Sequence, residues 1–153
     1  MVKRLSVPFH RQIDTGYCLA ACAQMVLEYQ GLNLAQEYLA QLLAVKPGLG
    51  TPTFQIQRLT ILPIKVIYEE GDLNTLQEWV SQNYPVITFV QAGELFHWSG
   101  ELFQHAVVVI GVGQDGLWLL DPDMAAEPVS VTVDEFMLAW VEMGYLYAVL
   151  TVT

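Results

Sequence analysis

Hydrophobic periodicity changes character most clearly at Tyr84-Pro85. Before that point apolar residues recur every three to four positions, the spacing of one helix face. After it they come in short runs of strand length, at residues 86–90, 105–112, 117–120 and 145–152. Helices first and strands afterwards give an α+β fold, with an N-terminal helical half packed on a mostly antiparallel sheet. No linker, repeat or low-complexity stretch interrupts the order, so residues 1–153 read as a single domain.

The individual elements follow from local chemistry. Residues 17–30 form a helix with Leu19, Cys22, Ala23, Val26 and Leu27 on one apolar face, capped by Asp14 or Thr15 and ended by Gly31. Asn33 can cap a second helix over residues 34–45, and Lys46-Pro47-Gly48 breaks it. A short helix at 53–59 and a strand at 64–68 come next. Asp72 then caps a helix over residues 73–83, with Leu76, Trp79 and Val80 inward. Thr132 caps a last helix over residues 133–143.

Gly111-Val112-Gly113-Gln114-Asp115-Gly116 matches the dinucleotide-binding pattern literally. That pattern needs a helix after the glycines, whose N-terminus carries the pyrophosphate. Here Leu117-Trp118-Leu119-Leu120 follows, a strand, so Gln114-Asp115-Gly116 is a hairpin turn.

Charge and composition exclude several classes. Six Lys and Arg against sixteen Asp and Glu give a net charge of −10, the wrong sign for phosphate-backbone binding, so nucleic acid is not a partner. No run reaches the ~18 apolar residues of a membrane span. The N-terminus lacks an apolar signal core, which points to the cytoplasm. Cys18 and Cys22 lie one helical turn apart, where a disulfide would close a tiny loop, and free thiols suit a reducing compartment. Their C-x₃-C spacing lacks the second pair of a zinc site, so neither a metal nor another cofactor is expected.

Four residues converge on acyl-transfer chemistry. Cys18 occupies the first turn of the strongest helix, where the helix dipole lowers a thiol pKa. Gln12, just ahead of that helix, can offer its amide N–H to the oxyanion formed when a thiolate attacks a carbonyl, with the Cys18 backbone N–H as second donor. His105 opens the most apolar strand. The hairpin turning at residues 114–116 returns Asp121 to the same sheet edge, where it can fix the imidazole tautomer. Taken singly, each has an ordinary reading: a core cysteine, a satisfied edge histidine, an Asp-Pro turn. His97, between Phe96 and Trp98, sits in the long loop 91–104, either as an exposed aromatic cluster or as a wall of a substrate cleft.

The segment Val7-Pro8-Phe9-His10-Arg11-Gln12, followed by Tyr17-Cys18, Met25 and Tyr29, resembles the start of the bacteriocin-processing cysteine peptidases, papain-like enzymes that cut double-glycine leader peptides. Gln104-His105-Ala106-Val107-Val108-Val109 and Asp121-Pro122 resemble their histidine strand and aspartate-proline turn. The resemblance implies a papain-like fold and a Cys18–His105–Asp121 triad with Gln12 as oxyanion donor. It also implies a peptide or protein substrate and a thioester intermediate. The chain departs from the family in having Leu19 after the nucleophile, where Gly is frequent, and resembles stand-alone members without the export ATPase. A cysteine amidase or acyltransferase would use the same residues. A non-cleaving leader-peptide-binding module would have no need of Cys18.

Overall fold

The structure is a computed structural model and describes residues 3–98, 103–124 and 128–153. The expected loop positions 99–102 lie outside the described residues. Its first helix, α1 (Cys18–Tyr29), carries a core of small and branched residues. Ala20, Ala21, Cys22, Ala23 and Met25 are fully buried, which allows close approach of the helix to its neighbours. Tyr17 stands at the N-cap without a side-chain hydrogen bond. Asp14 does not cap the helix as expected, because its carboxylate accepts from the adjacent Thr15 N–H instead. The second helix, α2 (Gln36–Leu42), is shorter than the sequence suggests and starts after Ala35, leaving Asn33 outside it. A 3₁₀ helix, Thr53–Ile61, leads to β1 (Ile64–Glu70).

The third helix, α3 (Leu73–Ser81), begins with a reciprocal capping box between Asp72 and Thr75. Then come β2 (Val86–Gln91), β3 (Gln104–Val112), β4 (Gly116–Leu120) and β5 (Val129–Thr132). Helix α4 (Val133–Val141), capped by Thr132 and Glu135, precedes β6 (Leu146–Val152). Among the described residues the strands form one antiparallel sheet in the order β1-β6-β2-β3-β4-β5. Strand β5 was absent from the sequence expectation: its four residues, Val-Ser-Val-Thr, are too few to reveal a period before α4 begins.

Chain order and sheet order part company at β6. The last strand inserts between β1 and β2, so the helical half and the sheet half share one core. Helix α1 packs on β3, whose residues Ala106 to Ile110 are almost wholly buried. The N-terminal segment crosses the other end of β3, where Leu5 N–H bonds the Ile110 carbonyl (2.9 Å). Gly111 sits at the irregularity between β3 and β4, and a Cβ there would lie 3.0 Å from the Lys3 carbonyl oxygen. No described helix is long and apolar enough to cross a membrane.

Candidate active site

The β3–β4 hairpin sets the first pair. Val108 faces Leu120, so Asp121 leaves β4 near the point where β3 begins with Gln104 and His105. There His105 Nε2 lies 2.6 Å from Asp121 Oδ1. Both groups are buried, His105 at 5% exposure and Asp121 at 1%. With Nε2 donating to Asp121, Nδ1 is left for the second side-chain partner of His105, the thiol of half-buried Cys18. The ring is enclosed by Phe103 and Trp98, with centroids 5.4 and 6.1 Å away in edge-to-face geometry.

Electrostatics make the Cys18–His105 contact asymmetric. Burial alone would raise the Cys18 thiol. The hydrogen bond and charge of His105 outweigh it, with the Ala106 and Leu19 backbone N–H groups, and hold the thiol below its ordinary value. Burial would likewise depress His105, but Asp121 and Cys18 raise it to about 10. Asp121 is held well below the usual carboxylate range: burial opposes ionisation, and hydrogen bonds from His105, His97 and Trp98 prevail. All three shifts favour thiolate beside imidazolium beside carboxylate. Cys22, one turn along, goes the other way: complete burial, then the nearby negative charges of Cys18 and Asp121, push its thiol well up. Two cysteines on one helix thereby differ in acidity, the Cys18 thiol lowered and the Cys22 thiol raised.

Gln12 reaches the same place from the N-terminal segment. Its backbone N–H bonds the Pro122 carbonyl (2.8 Å), tying it to the turn that carries Asp121. A cleft of about 330 Å³ is lined by Gln12, Cys18, His105, Trp98, Phe103 and Asp123, among others. Its far wall is the turn at Gly48 and Leu49. That turn comes close because Gly16 has a φ of +89°, and any Cβ there would lie 2.6 Å from the Gly50 nitrogen. A larger depression of about 710 Å³ lies between Lys3, α3 and the β3–β4 turn, but it contains neither cysteine nor histidine. Its size gives it no chemistry, whereas the smaller cleft ends on Cys18 and His105.

The structure thus brings Gln12, Cys18 and His105 to one cleft, with Asp121 buried behind His105. It also reveals participants the sequence reading missed. Gln36, buried at 3% exposure, donates to the Arg11 carbonyl (3.0 Å) and accepts from the Ile13 N–H (2.9 Å), on either side of Gln12. The only sequence signal was a polar residue at the start of a helix. His97 does not line the cleft, as one expectation had it. Its Nε2 lies 2.9 Å from Asp121 Oδ2, and Trp98 Nε1 lies 2.7 Å from the same oxygen. Among the described residues no group of His, Cys, Asp and Glu side chains is arranged to hold a metal ion.

The Peptidase_C39-like family model matches residues 4–148. The chain belongs to that family. As a C39-like peptidase it is a cysteine peptidase, a hydrolase. Its fold matches that of a protein from Bacillus anthracis described as a candidate C39-like peptidase, with a TM-score of 0.78 at 21% identity over 99% of this chain and 98% of that one. It also matches the peptidase domain of Streptococcus ComA, a bi-functional ABC transporter of a quorum-sensing pathway, at a TM-score of 0.77 and 24% identity over 96% and 99% of the two chains. A third match is a double glycine motif protease from an AMS/PCAT transporter, in complex with the leader peptide, at 0.76 and 19% identity over 99% and 95%. At these identities the likeness is one of fold. No curated protein matches the sequence.

Proposed function

We propose that this C39-like peptidase hydrolyses a peptide bond through Cys18, His105, Asp121 and Gln12. The observation that carries the reading is His105 bonded at once to Cys18 and to buried Asp121 on the wall of a cleft. The Cys18 thiolate attacks the scissile carbonyl carbon, and its oxygen takes the negative charge. Gln12 Nε2 and the Cys18 backbone N–H stabilise that oxyanion as it forms. The His105 imidazolium gives its proton to the amine, which leaves, and a thioester to Cys18 remains. Neutral His105 then takes a proton from water, the hydroxide attacks the thioester, and the acid and thiolate are released. Asp121 holds the imidazole tautomer and orientation throughout.

A peptide or protein substrate is part of this reading, supported by the peptide-bound relative of the same fold. So is action as a single papain-like domain, supported by the one core shared by helices and sheet. Placement in the cytoplasm rests on the two free thiols, which a reducing compartment preserves. A cleavage assay on a peptide library, with binding measured in parallel, tests the reading. The parent protein is expected to cut and Cys18→Ala to bind without cutting. Turnover that persists in Cys18→Ala overturns the mechanism. Binding without turnover in the parent overturns the hydrolytic reading in favour of a recognition module.

A further inference from the structure

Asp121 is more heavily bonded than a triad carboxylate needs to be. Oδ1 accepts from His105 Nε2 and from the Asp123 backbone N–H (3.0 Å). Oδ2 faces the other way and accepts from His97 Nε2 and Trp98 Nε1. These two donors are consecutive residues of the 3₁₀ turn Phe96–Trp98, in the connection between β2 and β3. The turn is built into the protein: Leu95 is completely buried, its N–H bonds the Ala92 carbonyl (2.9 Å), and Trp98 N–H bonds the Leu95 carbonyl (2.9 Å). Ala92 N–H is tied to the Phe103 carbonyl (2.9 Å), two residues before His105.

We infer that His97, assisted by Trp98, is a positioning residue: it fixes the Asp121 carboxylate so that Oδ1 stays aimed at His105. The inference rests on the Cys18–His105–Asp121 reading above. A carboxylate turns about a broad, roughly two-fold torsion, so bonds to Oδ1 alone, from His105 and the Asp123 N–H, leave Oδ2 unheld. Two N–H donors on the far oxygen remove that freedom, and they come from a segment separate from the strands carrying His105 and Asp121. The aim of the base thus depends in part on His97, which does not line the cleft. A supporting group of this kind governs how closely a reactive constellation keeps its productive geometry.

His97 is the better probe of the pair, because Trp98 lines the cleft and His97 does not. In the tautomer that donates from Nε2, His97 Nδ1 is buried without a partner, so its one polar contact at this site is the bond to Asp121. His97→Leu removes the donor and keeps an apolar body. His97→Gln returns an N–H at similar reach. The expected result for His97→Leu is a fall in kcat of about 10- to 100-fold, the usual cost of losing an outer supporting hydrogen bond, with KM changed less than about twofold. His97→Gln is expected to recover most of the loss. Rates are taken per titrated Cys18 thiol in variants whose melting temperatures show them folded. Unchanged kcat in folded His97→Leu overturns the inference, as does an equal loss in His97→Gln.

A second readout does not depend on turnover. The rate of Cys18 alkylation by iodoacetamide should fall in His97→Leu and return in His97→Gln. If the parent protein cuts no peptide but this pattern holds, the positioning role stands while the hydrolytic reading falls. If Cys18→Ala abolishes turnover but His97→Leu alters neither rate, the reverse is true.

Discussion

Gln36 holds the chain on both sides of Gln12, through the Arg11 carbonyl and the Ile13 N–H. Its amide also reaches Gln24 Oε1 on α1 (2.9 Å), which links the segment before the helix to the helix itself. Gln36→Leu would leave buried backbone and amide groups without partners, at about 1–3 kcal/mol for each group orphaned. We expect a lower unfolding free energy by denaturant titration, together with a fall in kcat, since Gln12 loses its brace. A variant that loses stability but keeps full kcat would show that Gln12 is held by the Pro122 contact alone.

Gln12 itself is expected to act on charge development and not on substrate affinity. Removing one oxyanion donor costs ~10²–10³ in rate, so Gln12→Ala should lower kcat by that factor and leave KM nearly constant. The side chain precedes α1 and is half-buried, so the melting temperature should move little. Steady-state kinetics on any peptide that the parent protein cleaves decide the matter. An unaltered kcat transfers the oxyanion to a different donor.

The two thiols should separate cleanly by reactivity. Cys18 is held below the ordinary value by His105 and backbone N–H groups, and Cys22 is pushed well above it by burial. Brief iodoacetamide treatment near neutral pH, followed by peptide mapping, should label Cys18 and spare Cys22. The half-point of the labelling profile should lie below the ~8.5 of a free thiol. At the alkaline end, His105 loses its proton near 10, and turnover should decline as pH rises through that value because the leaving amine has no proton donor. Equal labelling of both cysteines contradicts the assignment.

Asp121→Asn should be damaging for a reason visible in its bonds. An amide has one acceptor oxygen and an NH₂, so it cannot accept from His105 on one side and from His97 and Trp98 on the other. Stability and kcat should both drop. Because the folded-state pKa of Asp121 is depressed, its contribution is present above the unfolded value of about 3.9 and is lost as pH falls. The stability difference between the parent protein and Asp121→Asn should therefore be full at pH 6 and shrink in acid. Thermal melts across that range measure it, and a constant difference would assign the effect to packing.

The sequence made some of this legible and hid the rest. The change of period at Tyr84-Pro85 separated most helices from most strands, β1 and α4 excepted, and residues 114–116 could be read as a turn because strands flank them on both sides. A hairpin is local, so His105 and Asp121 could be placed together from their spacing. Caps with both partners within one turn, Asp72 with Thr75 and Thr132 with Glu135, were half visible as Asp and Thr before apolar runs. The insertion of β6 between β1 and β2 leaves no such trace, because nothing local says which edge a last strand will join. Gln36 and His97 were hidden for the same reason. Each bonds residues more than twenty positions away, and neither has a neighbour that announces the partner.

The alanines of α1 have a consequence of their own. Ala20, Ala21 and Ala23 are fully buried in the helix that packs on β3, so the gap between the Cys18 and His105 elements is a thickness of hydrocarbon core. Helix α1 lies directly on β3, inside the same hydrophobic core. Parting the helix from the sheet would separate the thiol from the imidazole, and that parts the core. Thermal inactivation and thermal unfolding should therefore trace one curve, with the chemistry serving as a gauge of whether the interior is closed.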